Sequence, residues 1–513
     1  MKILILKKKA MLFALITVRM LILPFEITII ILVMLTFILL MNIPVVFAQP
    51  NTLWTKTFGG NDWDYGNSVQ QTKDQGFIVT GTTYSFGAGN GDIWLVKTNS
   101  IGNEMWNKPF GGIRDEIGFS VQQTFDGGYV ITGLTKSFGA GNSDVWLIKT
   151  DSNGNEEWSR TFGGSNDDIG RSVQQTGDGG YIILGETNSF GAGDSDAWLI
   201  KTDSSGNEVW RKTFGGNKNN SGESVMQTSD NGYIIAGTTA SFEWGSNDVW
   251  LIKADSSGNK VWSQTFGGSN NDGSHSVQQT FDHGYIVTGW TWSFGKGNAD
   301  LWLIKTDSTG NEIWNRTIGG SDHDDGSSVQ QTMDGGFIIT GWTESFGSAR
   351  MNAWLVKTDA NGNKIWSKAF GGNNFDMGYS VKQTADGGYI ITGYTNSHSG
   401  GSDDDLWLIR LGPENTTVES KSEGSLRRFS LEQNYPNPFN PSTEIAFHIS
   451  VSDNVRLEIY NVMGQKVATL VNEKKAAGSY KVRFEADGFP AGVYFCRLKA
   501  GKLEQVRKMV LLE

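Results

Sequence analysis

The stretch DVWLIKTDSNGNEEWSRTFGG, Asp144 to Gly164, decides the fold because it returns with variations every 52 residues. Phe-Gly-Gly stands at six of the seven expected places, and Ile318-Gly319-Gly320 fills the remaining one. A second block, SVQQT followed by a Gly-rich turn and an apolar run, keeps the same period from Ser68 to Ser380. A fixed period of this length predicts a repeat architecture.

Each repeat is predicted to contain four short strands. In the third copy these are Ser172–Thr176, Tyr181–Thr187, Ala197–Asp203 and Glu208–Phe214. They are rich in β-branched and aromatic residues, and Gly, Asn, Asp and Ser separate them. Four strands per unit of this length are typical of a propeller blade. Seven copies therefore predict an all-β protein with a seven-bladed β-propeller.

The phase of the repeat predicts how the ring closes. The chain enters the repeats at Leu53–Phe58, a fourth strand with no first three strands before it. It leaves them at Leu406–Arg410, a third strand with no fourth strand after it. We expect the N-terminal strand to complete the last blade and cover an edge that would otherwise be open.

Residues 1–48 differ in kind from the repeats. Lys7-Lys8-Lys9 precede an apolar run over 27–41, and Val46-Phe47-Ala48 offers small residues for cleavage before Gln49. This pattern predicts a secretory signal peptide over 1–48, with Met20 as an alternative start. Because the apolar run is long for a signal peptide, an uncleaved membrane anchor is the alternative. Cys496 is the only cysteine, so no disulfide forms within one chain.

The charge of the chain excludes one class of partner. The formal net charge is −11, although residues 1–48 are themselves basic. A surface that binds phosphates needs the opposite sign, so we expect no nucleic acid partner. The predicted organisation is a propeller over 49–411, a polar linker over 412–429 and a C-terminal domain over 430–513. We expect a monomer.

The C-terminal domain is predicted as a small Ig-like β-sandwich, since about six short strand-like runs follow one another after the linker. Four runs in it resemble the type A sorting domain of type IX secretion system cargo. They are Asn434-Tyr435-Pro436-Asn437-Pro438-Phe439-Asn440-Pro441, YNVMGQKV at 460–467, FPAGVYF at 489–495 and KMV at 508–510. The propeller repeats also resemble those found in front of such domains.

The resemblance implies a localisation and a partner. It implies transport across the inner and outer membranes by the type IX secretion machinery, then removal of the domain and release or attachment at the cell surface. An Ig-like module without a sorting role is the alternative.

Fourteen of the 19 tryptophans occupy fixed positions in the third and fourth strands of the repeats. A large side chain at the same place in every blade predicts packing between blades rather than ligand binding. The second Gln of SVQQT also occurs in all seven copies, and we expect its amide to pair with neighbouring backbone groups.

Acidic residues recur at two places in the repeat. One set stands six residues after the Phe of Phe-Gly-Gly: Asp64, Glu116, Asp168, Asp272, Asp324 and Asp376. The other set precedes the third-strand Trp: Asp92, Asp144, Asp196, Asp248 and Asp300. Their pattern favours carboxylates that cap backbone N–H groups in loops. Calcium is the alternative ligand, and no other cofactor is expected.

The long second-to-third and fourth-to-first loops are predicted to emerge at one end of the propeller. Repeats differ most there, and aromatic residues gather in blades five to seven. The candidate ligand-binding residues are Trp290, Trp292, Trp342, Tyr394 and His323, with His275 and His398 assigned to loops of the same arc. Exposed aromatics beside Asp and Asn suit a glycan or a protein partner. The alternative is that they fill gaps beneath the loops.

The sequence therefore favours an exported, non-catalytic recognition or adhesion module at the cell surface, with carbohydrate binding as its expected activity. A secreted enzyme acting on polysaccharide is the alternative, with an acidic site on the same face. Asp322, Asp324 and Asp325 beside His323 could form such a site. No catalytic residue is predicted, because no acid/base pair or nucleophile motif stands out.

Overall fold

The computed structural model describes residues 46–513 except 241–245, 348–349, 399–402, 418–429, 435–436, 438, 450–451, 462–463, 477, 502 and 512–513. The chain divides into two compact units, Met1–Val418 and Glu419–Glu513. Most of the predicted signal peptide lies outside the described residues. Its last three residues, Val46–Ala48, pair with Asn415–Thr417 in a two-stranded antiparallel ribbon. Within the described part of the chain, no helix has the length and apolar character needed to cross a bilayer.

Seven four-stranded antiparallel sheets make up the first unit, one for each repeat. Blade 1 contains Asp64–Gln71, Phe77–Thr83, Asp92–Thr98 and Glu104–Phe110, and blade 2 contains Glu116–Gln123, Tyr129–Thr135, Asp144–Thr150 and Glu156–Phe162. Blade 3 contains Asp168–Gln175, Tyr181–Thr187, Asp196–Thr202 and Glu208–Phe214, and blade 4 contains Asn220–Gln227, Tyr233–Thr239, Asp248–Ala254 and Lys260–Phe266. Blade 5 contains Asp272–Gln279, Tyr285–Thr291, Asp300–Thr306 and Glu312–Ile318, and blade 6 contains Asp324–Gln331, Phe337–Thr343, Asn352–Thr358 and Lys364–Phe370.

Blade 7 is completed by the N-terminal strand, as the phase of the repeat predicts. Its strands are Asp376–Gln383, Tyr389–Thr395, Asp405–Leu411 and Thr52–Phe58, and the last two pair antiparallel. Val69 of blade 1 shares a buried cluster with Ile390 and Leu406 of blade 7, so the ring is closed by packing as well as by pairing. The predicted seven-bladed propeller is confirmed.

Each first strand is longer than predicted, because it begins at the recurring acid and not at SVQQT. In blade 3 the strand starts at Asp168, and the pairing register shifts between Gly170 and Ser172. This shift is a β-bulge, which interrupts the alternation on which a strand prediction depends. The bulge leaves one residue per blade out of the ladder, and that position becomes important for the site.

The fixed tryptophans pack between blades, which confirms the scaffold interpretation. Each fourth-strand Trp meets an aromatic ring at the start of the second strand in the next blade, as Trp158 does with Tyr181 at 5.8 Å. Third-strand tryptophans are buried in clusters built from two blades; Trp250 of blade 4 packs with Leu184 and Phe214 of blade 3. Burial of such rings stabilises each blade boundary by several kcal/mol, on the order of 25 cal/mol per Å² of apolar surface.

A buried lysine recurs beside the third-strand Trp. Lys201 Nζ lies 3.0 Å from Asp178 Oδ2 of the first-to-second turn and donates to Thr202 O. Asp178 also accepts from Thr176 Oγ1 and Gly180 N, so the carboxylate fixes the turn. Six blades carry Lys at this place, and Arg410 replaces it in blade 7. The end of each blade opposite the long loops is thus held by one ion pair.

The second unit is a sandwich of two antiparallel sheets. One sheet has the order Ser430–Leu431, Ser442–Ile449, Gly478–Glu485, and the other has the order Lys466–Lys475, Asp453–Asn461, Gly492–Ala500, Leu503–Leu511. Phe447 and Phe484 of the first sheet share one buried core with Leu457 and Cys496 of the second. The predicted C-terminal β-sandwich is confirmed.

Candidate functional site

The recurring acids at the long-loop end are largely committed to hydrogen bonds within the protein. Asp168 is fully buried and accepts from Gly164 N at 2.9 Å and from Ser189 Oγ at 2.7 Å, with Thr187 Oγ1 as a further donor. Asp144 accepts from Ala140 N and Gly141 N at 2.9 and 3.1 Å. Both carboxylates therefore cap backbone N–H groups, the role that the sequence favours for them.

The bulged residue of the first strand is the most variable place in the repeat. It stands immediately before a Ser that all seven blades share, and it differs in every blade. The seven residues are Asn67, Phe119, Arg171, Glu223, His275, Ser327 and Tyr379. First strands line the centre of a propeller, and bulges redirect side chains at functional sites. We call these seven residues, together with the side chains that touch them, the mouth ring.

Blades 2 to 6 contribute a charged arc to the mouth ring. The Arg171 guanidinium lies 4.6 Å from the Phe119 ring centre, donates to Glu186 Oε1 at 3.0 Å and faces Glu223 Oε2 at 3.9 Å. His275 Nε2 lies 3.4 Å from Asp325 Oδ2. Each contact except that with Glu186 crosses a blade boundary, so blades 2, 3 and 4 are linked to one another and blade 5 is linked to blade 6.

Two buried atoms of the charged arc have no hydrogen-bond partner among the residues that the structure describes. They are Arg171 Nε, a donor, and Asp325 Oδ1, an acceptor. Unpaired buried polar atoms are costly, and in native proteins they often mark a place where water or a ligand completes the network. The charged arc thus has both donor and acceptor capacity left over.

Blades 7 and 1 contribute a tyrosine arc to the same ring. Tyr394 packs against Tyr65 at 5.2 Å and Tyr379 at 5.9 Å between ring centres. Tyr65 Oη donates to Asp404 Oδ2 at 3.2 Å. Burial, with the charges of Asp404 and Asp376, raises the pKa of Tyr394 to about 12, so its hydroxyl stays protonated at neutral pH. Burial also raises the pKa of Asp404.

Three of the five predicted ligand-binding residues occupy equivalent places in the second strands of their blades. Each pairs with the first-strand residue that lies two positions before the bulged residue. Tyr394 belongs to the tyrosine arc and is 9% exposed. Trp290 lies over the backbone of Gly273, where an added Cβ would come within 2.8 Å of the indole. Trp342 is half-buried and pairs in register with Asp325 of the charged arc. Glu186, which contacts Arg171 of the mouth ring, occupies the same place in blade 3. The three aromatic residues are therefore at the position from which a side chain reaches the mouth ring.

The other two predicted residues contact each other rather than this group. Trp292 is 51% exposed, and its ring centre lies 5.3 Å from that of His323 on the adjoining loop. They form a pair on the long-loop surface. One minor assignment is wrong, because His275 lies at the bulge of a strand and not in a loop. His398 lies in the loop after Thr395 and packs on Trp407, where other blades use a loop Phe.

The three acids of the alternative enzyme site, Asp322, Asp324 and Asp325, have different roles in the structure. Asp324 is fully buried and accepts from Gly320 N and Ser345 Oγ, so it is a cap. Asp325 belongs to the charged arc, and Asp322 is exposed. Sequence reasoning did not recognise Arg171, Glu223 and Tyr379 as members of one set, because it compared loop positions. A constant Ser preceded by seven different residues is the signal that would have found the set.

No group of three or more His, Cys, Asp or Glu side chains arranged to hold a metal ion occurs in the described part of the chain. The calcium prediction is not tested by this observation, because it depends on loops that also supply carbonyl oxygens.

The C-terminal unit matches a known protein family. Residues 433–512 match the family model of the secretion system C-terminal sorting domain. This unit is a type IX secretion sorting domain. The chain is therefore cargo of that system, exported to the cell surface or the extracellular space, and its sorting domain implies an interaction with the secretion machinery.

In the sorting domain, the Asn-Pro-rich motif is joined to the last strand. Asn437 Oδ1 accepts from Val510 N at 2.8 Å, and Phe439 N donates to Val510 O at 2.9 Å. Phe439 is buried in the core, and Asn434 Nδ2 donates to Thr443 Oγ1 at 3.0 Å. Asn440 and Pro441 follow in the same segment, joined by a cis peptide bond. Tyr435, Pro436 and Pro438 lie outside the described residues.

Solved structures that match much of the chain share little sequence with it. PorZ, a surface component of the type IX secretion system of Porphyromonas gingivalis, is 12% identical with a TM-score of 0.42; the match covers 89% of this chain and 60% of PorZ. The α-L-arabinanase of Penicillium chrysogenum is 10% identical with a TM-score of 0.38, covering 71% and 99%. The endo-1,5-α-L-arabinanase of Thermotoga petrophila is 12% identical with a TM-score of 0.30, covering 71% and 100%. No protein among the curated sequences matches the chain.

Proposed function

We propose that the protein is an exported recognition module that binds a glycan through the mouth ring and the aromatic residues beside it. The observation that carries the proposal is the bulged position, which holds seven different side chains inside a repeat whose scaffold residues hardly change. Scaffold packing requires the same residue in each blade, whereas an asymmetric ligand requires different ones.

The chemistry of the mouth ring suits a polyol. The tyrosine arc and the indoles of Trp290 and Trp342 offer flat apolar faces on which the C–H face of a sugar ring can stack. The charged arc offers a guanidinium, an imidazole and carboxylates, which pair with hydroxyl groups as donors and acceptors. Arg171 Nε, which lies 3.9 Å from Glu223 Oε2 without a hydrogen bond, and Asp325 Oδ1 are a donor and an acceptor in the same arc.

A binding role is favoured over catalysis by the state of the carboxylates. Glu186 and Glu223 both face the Arg171 guanidinium, and Asp325 faces His275. Carboxylates already engaged by cations in this way are not placed as a free acid/base pair around a substrate. The second candidate function is hydrolysis of a polysaccharide, and one observation favours it: the raised pKa of Asp404, which lies beside Tyr65 at the same ring.

A glycan array probed with the secreted protein tests the proposal. We expect saturable binding that Arg171→Ala and Trp342→Ala abolish, while Phe125→Ala leaves it unchanged. Phe125 is 66% exposed in a first-to-second turn, at the opposite end of the propeller, and is therefore a matched control. Binding that survives both mouth-ring substitutions would contradict the proposed site. No binding to any glycan would send the search to protein partners.

Two further measurements separate the remaining alternatives. Repeating the array with calcium and with EDTA tests the calcium prediction, and loss of binding in EDTA would show that some capping acids also hold a metal. Incubation of each bound polysaccharide with the wild type and with Asp404→Asn tests hydrolysis. Products that appear only with the wild type would establish the enzymatic alternative.

A further inference from the structure

Propeller blades face the central channel with the inner edge of their first strand, whose outward N–H groups have no neighbouring strand. In this protein each blade supplies side-chain acceptors for backbone N–H groups of both neighbouring blades. Ser172 Oγ accepts from Val225 N at 3.2 Å, and the same bond closes all seven boundaries. Gln175 Oε1 accepts from Phe125 N at 2.8 Å, and this second bond also recurs at all seven. These two sets of hydrogen bonds satisfy backbone N–H groups that would otherwise be unpaired at the blade boundaries.

Between these two rings lies a third, and it is incomplete. The first Gln of SVQQT accepts from the backbone N–H of the second Gln in the next blade at five boundaries, with distances of 2.6 to 2.7 Å. At the sixth boundary Met226 Sδ accepts from Gln279 N at 3.4 Å. At the seventh, between blades 7 and 1, the residue is Lys382. An ammonium group donates and cannot accept.

At the boundary between blades 7 and 1, the side chain and the backbone N–H are therefore both donors. At each of the other six boundaries, a backbone N–H donor faces a side-chain acceptor. Among the described residues, the Lys382 ammonium has no hydrogen-bond acceptor. The Gln71 N–H, which is equivalent to the N–H that donates to a Gln Oε1 at five other boundaries, has no side-chain acceptor there. Lys382 is partly buried, and desolvation lowers the pKa of its ammonium group. In the part of the chain that the structure describes, no carboxylate forms an ion pair with Lys382.

We propose that Lys382 and the Gln71 N–H hold a small anion in the central channel, a halide ion or a carboxylate group. The anion takes the place that a Gln Oε1 fills at five other boundaries: it accepts from the backbone N–H and neutralises the ammonium charge. A water molecule would satisfy the N–H group but bring no negative charge to the partly buried ammonium group. A charged donor and a backbone N–H on one ligand form the stronger kind of hydrogen bond.

The test is ³⁵Cl⁻ NMR line broadening by the full secreted protein in a chloride buffer. We expect excess line width with the wild type and its loss with Lys382→Gln, which supplies the missing carbonyl oxygen. Lys136→Gln is the matched control, since Lys136 is exposed at the surface and bridges Asp115, and it should keep the wild-type line width. Equal broadening by the wild type and Lys382→Gln would overturn the proposal.

Two additions keep the test decisive. Lys382→Met copies the residue at the sixth boundary, so it replaces Lys382→Gln if that variant does not fold. Acetate added to the chloride sample distinguishes the two ligand classes: displacement of chloride shows a site that accepts carboxylates, and continued broadening shows a halide site. If neither chloride nor acetate changes the melting temperature of the wild type relative to Lys382→Gln, the site is not an anion site.

Discussion

His275 and Asp325 face each other across the boundary between blades 5 and 6, with 3.4 Å between Nε2 and Oδ2. Burial alone would lower the pKa of His275, but the Asp325 carboxylate and the more distant Glu223 raise it to about 9, against an opposing contribution from Arg171. The imidazole is therefore protonated at neutral pH. The charged arc then carries two cations among its carboxylates.

We predict that Asp325→Asn lowers the pKa of His275 by one unit or more. A histidine with a raised pKa contributes stability that is fully present below its ordinary value of 6.5 and is lost as the pH rises towards about 9. The free energy of unfolding of the wild type should therefore fall relative to Asp325→Asn across this window. NMR titration of the imidazole and urea unfolding at several pH values measure both effects. An unchanged His275 pKa in Asp325→Asn would show that the pair is not formed.

A second prediction concerns the buried lysines at the opposite end of the blades. Lys201→Met keeps the aliphatic stem but removes the ammonium that pairs with Asp178. Because hydrogen bonds to charged groups are worth about 1.5–3 kcal/mol and Asp178 is largely exposed, we expect a loss of about 1–2 kcal/mol. Urea unfolding at neutral pH measures the loss. Lys212→Met is the control, since Lys212 lies on the exposed fourth strand of the same blade.

The same pair predicts the response to acid. Burial alone would raise the pKa of Asp178, but hydrogen bonds from Thr176, Lys201 and Gly180 lower it to about 2. A depressed acid contributes stability above its ordinary pKa of 3.8, and this stability is lost as the pH falls towards 2. The difference between the wild type and Lys201→Met should therefore shrink in that window. A difference that stays constant from pH 7 to pH 2 would contradict the assignment.

The architecture could be predicted from the sequence because it depends on features that repeat. Trp158 and Tyr181 recur in equivalent places, so one blade boundary predicts the others, and the unpaired strands at the two ends predict the closure. The candidate site could be predicted only in part, because it depends on departures from the repeat. Trp290 and Trp342 could be found because they differ from the residues at the same second-strand place in other blades. Arg171 and His275, in contrast, stand at a bulge. A strand pattern does not reveal a bulge, so His275 was assigned to a loop and the shared bulge position was not recognised.

A third prediction concerns the caps at the long-loop end. Burial, together with the nearby charge of Asp168, raises the pKa of Asp144. An acid with a raised pKa destabilises the folded state increasingly as the pH rises above 3.8, because the unfolded chain ionises first. Asp144→Asn keeps an oxygen for Ala140 N and removes the charge, and blade 6 already carries Asn352 at this place. We expect Asp144→Asn to gain stability relative to the wild type between pH 4 and pH 7.

Thermal unfolding at pH 4 and pH 7 measures that gain. Asp168→Ala is the contrasting variant, because it removes the acceptor for Gly164 N and Ser189 Oγ. It should lose about 1–3 kcal/mol at both pH values, since buried donors are left unpaired. If Asp144→Asn instead loses stability relative to the wild type as the pH rises, the prediction is contradicted. The negative charge of Asp144 would then stabilise the fold, and a cation bound at the cap would account for that stabilisation.

The last prediction concerns export. Asn437 Oδ1 accepts from Val510 N, and Asn437 Nδ2 donates to Lys508 O at 3.3 Å, so one side chain joins the Asn-Pro-rich motif to the final strand of the sorting domain. Asn437→Ala removes both bonds and leaves Val510 N–H without its acceptor, at a cost of about 1–2 kcal/mol. We expect the cargo to accumulate inside the cell, and the fraction at the surface or in the medium to fall. Immunoblots of cell fractions measure this, with Asn437→Asp retaining the acceptor and an intermediate level of export. Glu444→Gln, on an exposed face of the same domain, should be exported like the wild type. Normal export of Asn437→Ala with an unchanged melting temperature would show that the machinery reads the sorting domain without this contact.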